Sequence, residues 1–178
     1  MQSFKNHFLV SLPALKGNYF EDTVSLIIDH NEQGTFGLII NKPLNQDIDE
    51  LFSEITSGFN CPVLLGGPVE QERVFFLHPT GTYFNSTLEI SHEIALTTST
   101  DIIDAMQEGS APAGMLAIVG YAGWGATQLE QELVDDAWLL APTSGRIAFN
   151  TPYEDRPKDA ASLLGIDLNL MPTQAGGD

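Results

Sequence analysis

The strongest constraint in this chain is a pair of apolar runs, Val24-Ser25-Leu26-Ile27-Ile28 and Phe36-Gly37-Leu38-Ile39-Ile40. They flank a polar stretch, Asp29-His30-Asn31-Glu32-Gln33-Gly34. β-Branched and aromatic residues around a short turn with Asn and Gly predict an antiparallel hairpin across Asn31–Gly34. Neither run alternates polar with apolar, as a strand with one wet face would. Their continuity predicts a sheet covered on both faces.

Other elements follow from spacing. Asp47 with Glu50 three residues on predicts a capped helix start. Ile48, Leu51, Phe52 and Ile55 then supply one apolar stripe, and Gly58 a left-handed stop. Val63-Leu64-Leu65, Val74-Phe75-Phe76-Leu77 and Leu88 to Ile90 read as strands. A helix capped by Thr98, Ser99 or Thr100 carries Ile102, Ile103 and Met106 and ends at Gly109. Met115 to Tyr121 reads as a buried strand that Gly123-Trp124-Gly125 turns into a helix with Leu129 and Leu133. Trp138 to Leu140 and Arg146 to Phe149 read as strands. A last helix starts near Asp155 or Arg156, because Pro157 fits only a first turn, and buries Ala160, Ala161 and Leu164 before Gly165. Strands and helices mix without strict alternation, so the class is α/β in the α+β sense. Residues 1–168 form one domain and 169–178 a loose tail.

Charge and cysteine content exclude several functions. Against 24 Asp and Glu stand 7 Lys and Arg, a net charge of −17. Such a surface repels nucleic-acid phosphates and anionic lipid heads, so direct nucleic-acid binding is not expected. The nearest basic cluster, Arg146, Arg156 and Lys158, is diluted by Glu154, Asp155 and Asp159. The single cysteine, Cys61, allows no intrachain disulfide and reads as a small buried residue. No apolar run approaches the roughly 20 residues of a membrane helix, so no membrane contact is expected and the chain reads as cytoplasmic.

Chemistry-bearing patterns are sparse. Asp29, His30 and Glu32 share a turn but lack further ligands, so no metal and no cofactor is assigned. No Gly-x-Ser-x-Gly elbow occurs. Asp101 and Asp104 share a helix face, where acids complement the helix dipole. Two segments remain as ligand-binding candidates. Asn41-Lys42-Pro43 combines an amide, a cation and a rigid turn at a strand end. Gly120-Tyr121-Ala122-Gly123-Trp124-Gly125 follows a strand and opens a helix, the place where anions meet backbone N–H groups, although its spacing fits neither phosphate-binding fingerprint. If the two segments met in space, Asn41, Lys42, Gly123, Trp124 and Gly125 would line a cleft with a cation and an aromatic wall.

The ordered strings together resemble the YqgE/AlgH family of bacterial proteins. They are Leu9-Val10-Ser11-Leu12-Pro13, Phe20-Glu21-Asp22-Thr23-Val24, His30-Asn31-Glu32-Gln33-Gly34 and Gly37 to Pro43. Gly66-Gly67-Pro68-Val69, Thr97-Thr98-Ser99 with Asp101, Gly120 to Gly125 with Gln128-Leu129-Glu130, and Pro152 with Glu154-Asp155-Arg156 complete them. The resemblance implies one domain with a bent, branching sheet partly closed into a small barrel and flanked by helices. It implies a cytosolic bacterial protein and carries no catalytic residues over. Some members bear a transcriptional-regulator label. Pro157 departs from the pattern, standing where an aromatic is commoner.

The first functional expectation is a non-enzymatic protein that acts through a protein partner, in a regulatory role. The second is a small-molecule binder or enzyme using the Asn41-Lys42 and Gly123-Trp124-Gly125 segments.

Overall fold

The hairpin forms between β2 (Val24–Asn31) and β3 (Gly34–Ile39). Asn31 lies opposite Gly34, so Glu32 and Gln33 make a two-residue loop, and the register slips between Ile27 and Asp29. Both faces are covered, as the continuous apolar runs require. Leu26, Ile28 and Leu38 enter one core with Phe8, Phe75 and Ile147, whereas Ile27 enters another with Leu9, Trp124 and Trp138.

The computed structural model describes residues 2–55 and 59–171. Among these, β1 (His7–Ser11), β4 (Val63–Leu65), β5 (Val69–Pro79), β6 (Thr87–Glu89), β7 (Ile94–Thr97), β8 (Leu116–Gly125) and β9 (Trp138–Pro142) join the hairpin. The order is β6-β7-β5-β8-β3-β2-β1-β9, with β4 pairing parallel to β8 off this path. Every other pairing is antiparallel. The helices α1 (Ile48–Leu51), α2 (Asp101–Glu108), α3 (Gln128–Val134), α4 (Gly145–Phe149) and α5 (Arg156–Ser162) flank this curled half-barrel. α2 seals a third core with Phe76, Met115 and Ala117.

The sheet branches at β8. One edge meets β5; the other meets β4 over Ala117–Val119 and β3 over Ala122–Gly125. Backbone crowding at the fork explains the Gly66-Gly67 pair. A Cβ on Gly67 would lie 2.1 Å from the Tyr121 carbonyl, and one on Gly66 2.4 Å from Ile118.

Several expectations are corrected. The strand expected to end at Tyr121 runs on to Gly125, because β3 offers a pairing edge: Thr35 faces Trp124 and Phe36 faces Gly123. Gly123 and Gly125 are thus exposed strand positions flanking a buried Trp124, not a strand-to-helix turn. Arg146 to Phe149 is helical, nucleated by Ser144, whose hydroxyl accepts from Ile147 N–H at 3.3 Å. Four residues are too few for periodicity to separate helix from strand. The first helix is one turn long, because Phe52 turns extended and packs on Phe76. Its anticipated stop, Gly58, lies outside the described residues. Leu164 is exposed, since α5 ends at Ser162; Ala160 and Ala161 are fully buried as expected. β1 and β7 add two strands for which the sequence pattern gives no separate signal. Asn169 lies in a 3-10 turn at Leu168–Leu170, and 172–178 fall outside the described residues.

The Thr97-Thr98-Ser99 string is a staple. His78, fully buried, has Nδ1 2.8 Å from Pro79 O and Nε2 2.7 Å from Thr97 Oγ1. A carbonyl can only accept, so Nδ1 carries the proton and Nε2 accepts from Thr97. Thr97 Oγ1 in turn meets Thr87 Oγ1 at 2.8 Å, and Thr87 accepts from Phe84 N–H. Burial pushes the His78 imidazole below its ordinary value, outweighing the Pro79 bond. Ser99 donates to Asp101 at 2.5 Å, a bond that holds the Asp101 carboxyl below its usual range.

Two tests follow. Gly67→Ala should lower stability by about 1–3 kcal/mol or more in urea titration, the range of overpacking. Gly123→Ala, whose added carbon would meet nothing nearer than 3.8 Å, should stay within about 0.5 kcal/mol of the wild type. For His78, the unfolded chain gains a proton near pH 6.5 that the folded chain refuses until lower pH. Stability should therefore fall as pH drops through about 6.5 and level off below the folded value. His78→Gln should flatten that part of the stability curve.

Candidate functional site

The Asn41-Lys42 segment leaves β3 and runs beside β4, with Leu65 N–H donating to Lys42 O at 2.8 Å. Asn41 is a strut. Its Oδ1 accepts from Val24 N–H at 2.9 Å and its Nδ2 donates to Asp22 O at 2.9 Å. Lys42 Nζ donates to Tyr19 O at 2.9 Å and sits 3.9 Å from the centre of the Tyr19 ring. Partial burial pulls this ammonium below the ordinary lysine value.

Trp124 is 5% exposed and packs over Gly37 among Phe20 and Trp138. Its Nε1 donates to Glu132 Oε1 at 3.1 Å, and Trp138 Nε1 donates to the same oxygen at 2.9 Å. Gln128 completes the cluster by donating to Glu132 Oε2 at 2.9 Å and accepting from Gly125 N–H at 2.9 Å. One carboxylate of α3 thus ties down Trp124, Trp138 and, through Gln128, the Gly125 amide.

Asn41 and Trp124 border different cavities. Asn41 borders one with Tyr153, Glu154, Asp155 and Lys158, while Trp124 borders a shallow one beside Gly34, Thr35 and Phe36. His30 turns away from Asp29 and Glu32. It is buried, accepts from Phe4 N–H through Nδ1 at 2.9 Å, and meets Glu130 Oε2 at 3.2 Å. No group of three or more potential metal ligands occurs among the described residues. Cys61 is buried, and desolvation pushes its thiol up to about 12, so no reactive thiolate forms near neutrality.

Two features were not singled out from sequence. Arg156, 3% exposed, donates through Nε to Thr151 O at 2.8 Å and through Nη1 to Ile40 O at 2.5 Å. Its guanidinium lies 4.6 Å from the Tyr153 ring centre and borders a cavity of about 270 Å³. The second is an exposed segment of β5, Val69–Arg73. Its polar string Glu70-Gln71-Glu72-Arg73 reads in sequence only as a gap between apolar runs.

With this geometry in hand, comparison with known proteins is decisive. A family profile described as AlgH-like matches residues 8–169. The chain belongs to the AlgH-like family. A UPF0301 protein of Nitrosococcus oceani is 43% identical, covering 97% of this chain and 96% of its own. A UPF0301 protein of Shewanella loihica is 40% identical over 99% of both. The solution structure of the AlgH protein from Pseudomonas aeruginosa, 39% identical, superposes with a TM-score of 0.79 over 99% of this chain and 97% of that one. A Corynebacterium diphtheriae protein, 22% identical, shares the fold with a TM-score of 0.76, covering 96% of this chain and 91% of its own. Trp124, Gln128 and Glu130 of this chain all make framework contacts. No helix among the described residues is long and apolar enough to cross a membrane.

Glu132→Ala should strand two indole N–H donors. At about 1–3 kcal/mol for each unsatisfied group, the variant should lose roughly 2–6 kcal/mol in a urea melt followed by far-UV circular dichroism.

Proposed function

We propose that this AlgH-like protein works in the cytoplasm through a protein partner, without chemistry of its own, and influences transcription through that partner rather than by gripping DNA. The observation that carries this reading is the Val69–Arg73 ridge. β5 pairs with β8 at Val69–Tyr121 and again at Val74–Val119, so Glu70 to Arg73 stand opposite Gly120 alone. The excess arches outward, and all five residues from Val69 to Arg73 are exposed.

The arch is held, not loose. Glu70 adopts φ of +47°, a left-handed conformation rare outside glycine, and accepts from the Tyr121 hydroxyl at 2.8 Å. Arg73 lies 4.9 Å from the Phe75 ring centre. Strain kept at an exposed position supports a functional reason for it. A net charge of −17 favours a partner with a basic face and disfavours nucleic acid. The reading of a ligand cleft across Asn41-Lys42 and Gly123-Trp124-Gly125 is less favoured, because Lys42 and Trp124 are both committed to neighbouring protein groups.

The test uses Gln71→Lys with Glu72→Lys, two side chains that make no hydrogen bond among the described residues. The immobilised wild type should retain a protein from cell extract in a salt-sensitive manner. The double variant, melting at an unchanged temperature, should lose it. Titration with duplex DNA should show no salt-sensitive affinity. Equal retention by the variant, or micromolar DNA binding that weakens steeply with salt, overturns the proposal.

A further inference from the structure

Arg156 is held almost wholly out of water with only part of its donor set taken by protein acceptors. A guanidinium stays charged at any physiological pH, and removing it from water is unfavourable unless an anion or a full set of acceptors replaces the lost hydration. Arg156 is 97% removed from solvent in a chain with more than three times as many acids as bases. Yet the described residues offer it no ion pair; the one pair of an Arg or Lys with a carboxylate among them is Arg146–Asp159. Its immediate neighbours Glu154 and Asp155 border a different cavity. Two carbonyl oxygens take two of its five N–H groups.

Those bonds also fix its orientation. Nε and Nη1 are anchored on Thr151 O and Ile40 O, and the Tyr153 ring centre lies 4.6 Å from the guanidinium carbon. The remaining donors belong to a group that borders the cavity of about 270 Å³. Phe59, Pro62, Pro112, Met115 and Phe149 also line it, with Asn60 as the one other polar side chain besides the Tyr153 phenol. A fixed cation bordering a cavity lined by many apolar side chains suits an anionic head with an apolar body.

We propose that this cavity binds a small monocarboxylate with an apolar body, whose carboxylate pairs with the Arg156 guanidinium. Three observations choose this class over a phosphate. One guanidinium neutralises one negative charge, whereas a phosphate monoester brings nearly two into an acidic protein. Among the described residues no second cationic side chain lines the cavity, whereas a phosphate is commonly held by several. The volume, about nine times the share of one liquid water molecule, suits an acid of about that many heavy atoms. This site shares no residue with the β5 ridge and stands or falls independently of the partner proposal.

Sodium benzoate, benzyl alcohol and inorganic phosphate are the probes. Each is titrated into the full-length protein while the Arg156 Nε–H and Gly114 amide resonances are followed by NMR. Benzoate should shift both saturably and raise the melting temperature. Benzyl alcohol, equal in shape but uncharged, should bind roughly tenfold more weakly or not at all, the expected loss of one charge-assisted pair. Phosphate should leave the Gly114 resonance unmoved. Ala111→Phe, which fills the cavity and leaves Arg156 in place, should abolish the benzoate shifts. The wild-type titrations decide the question by themselves if that variant fails to fold. Absence of saturable benzoate shifts, equal affinity for the alcohol, tighter binding of phosphate, or undiminished benzoate binding by a folded Ala111→Phe protein each overturns the proposal.

Discussion

β8 hydrogen-bonds to three strands along a single ten-residue length, and the rest of the architecture depends on that fork. A strand has two edges, so three partners fit only if two share one edge end to end. β4 takes the first part and β3 the second. Where they diverge, Gly66 and Gly67 must pass the β8 backbone more closely than any side chain permits. The divergence curls the sheet into a half-barrel and separates the apolar interior into three cores. It also carries the chain after β3 away from β8, placing Ile40 O where Arg156 can reach it.

Much of this plan was legible because it rested on local signals. The β2–β3 hairpin, β4, α2 with its Gly109 stop at φ of +76°, and the placement of Pro157 in the first turn of α5 all follow from nearest-neighbour chemistry. What failed was decided by distant partners. Gly123-Trp124-Gly125 carries every mark of a turn, and only the β3 edge makes it a strand. The stripe from Ile48 to Ile55 is helical in spacing, but α1 ends at Leu51 and an extended Phe52 packs on Phe76. Ser144 outweighed the apolar look of Arg146 to Phe149 through one hydroxyl.

The candidate sites show the same division. Residues chosen for their chemical promise, Asn41, Lys42 and Trp124, proved to be bonded to backbone or buried in the framework. The features that carry functional proposals had weaker sequence signals. Arg156 stood in view within Glu154-Asp155-Arg156, but its burial among carbonyls depends on Ile40, more than a hundred positions earlier. The β5 ridge is visible only as a mismatch in length between paired strands, and pairing cannot be counted from one strand alone.

The joint hold of Glu132 on Trp124 and Trp138 has an optical consequence. These are the chain's two tryptophans, and their ring centres stand 5.9 Å apart at 75°. Indoles so close exchange excitation energy, so the protein has in effect a single chromophore, housed in the core beneath α3. Its emission and near-ultraviolet dichroism report on that corner alone. The tyrosine and phenylalanines around Arg156 absorb too weakly to compete, so an event there is optically silent unless it is transmitted through the sheet.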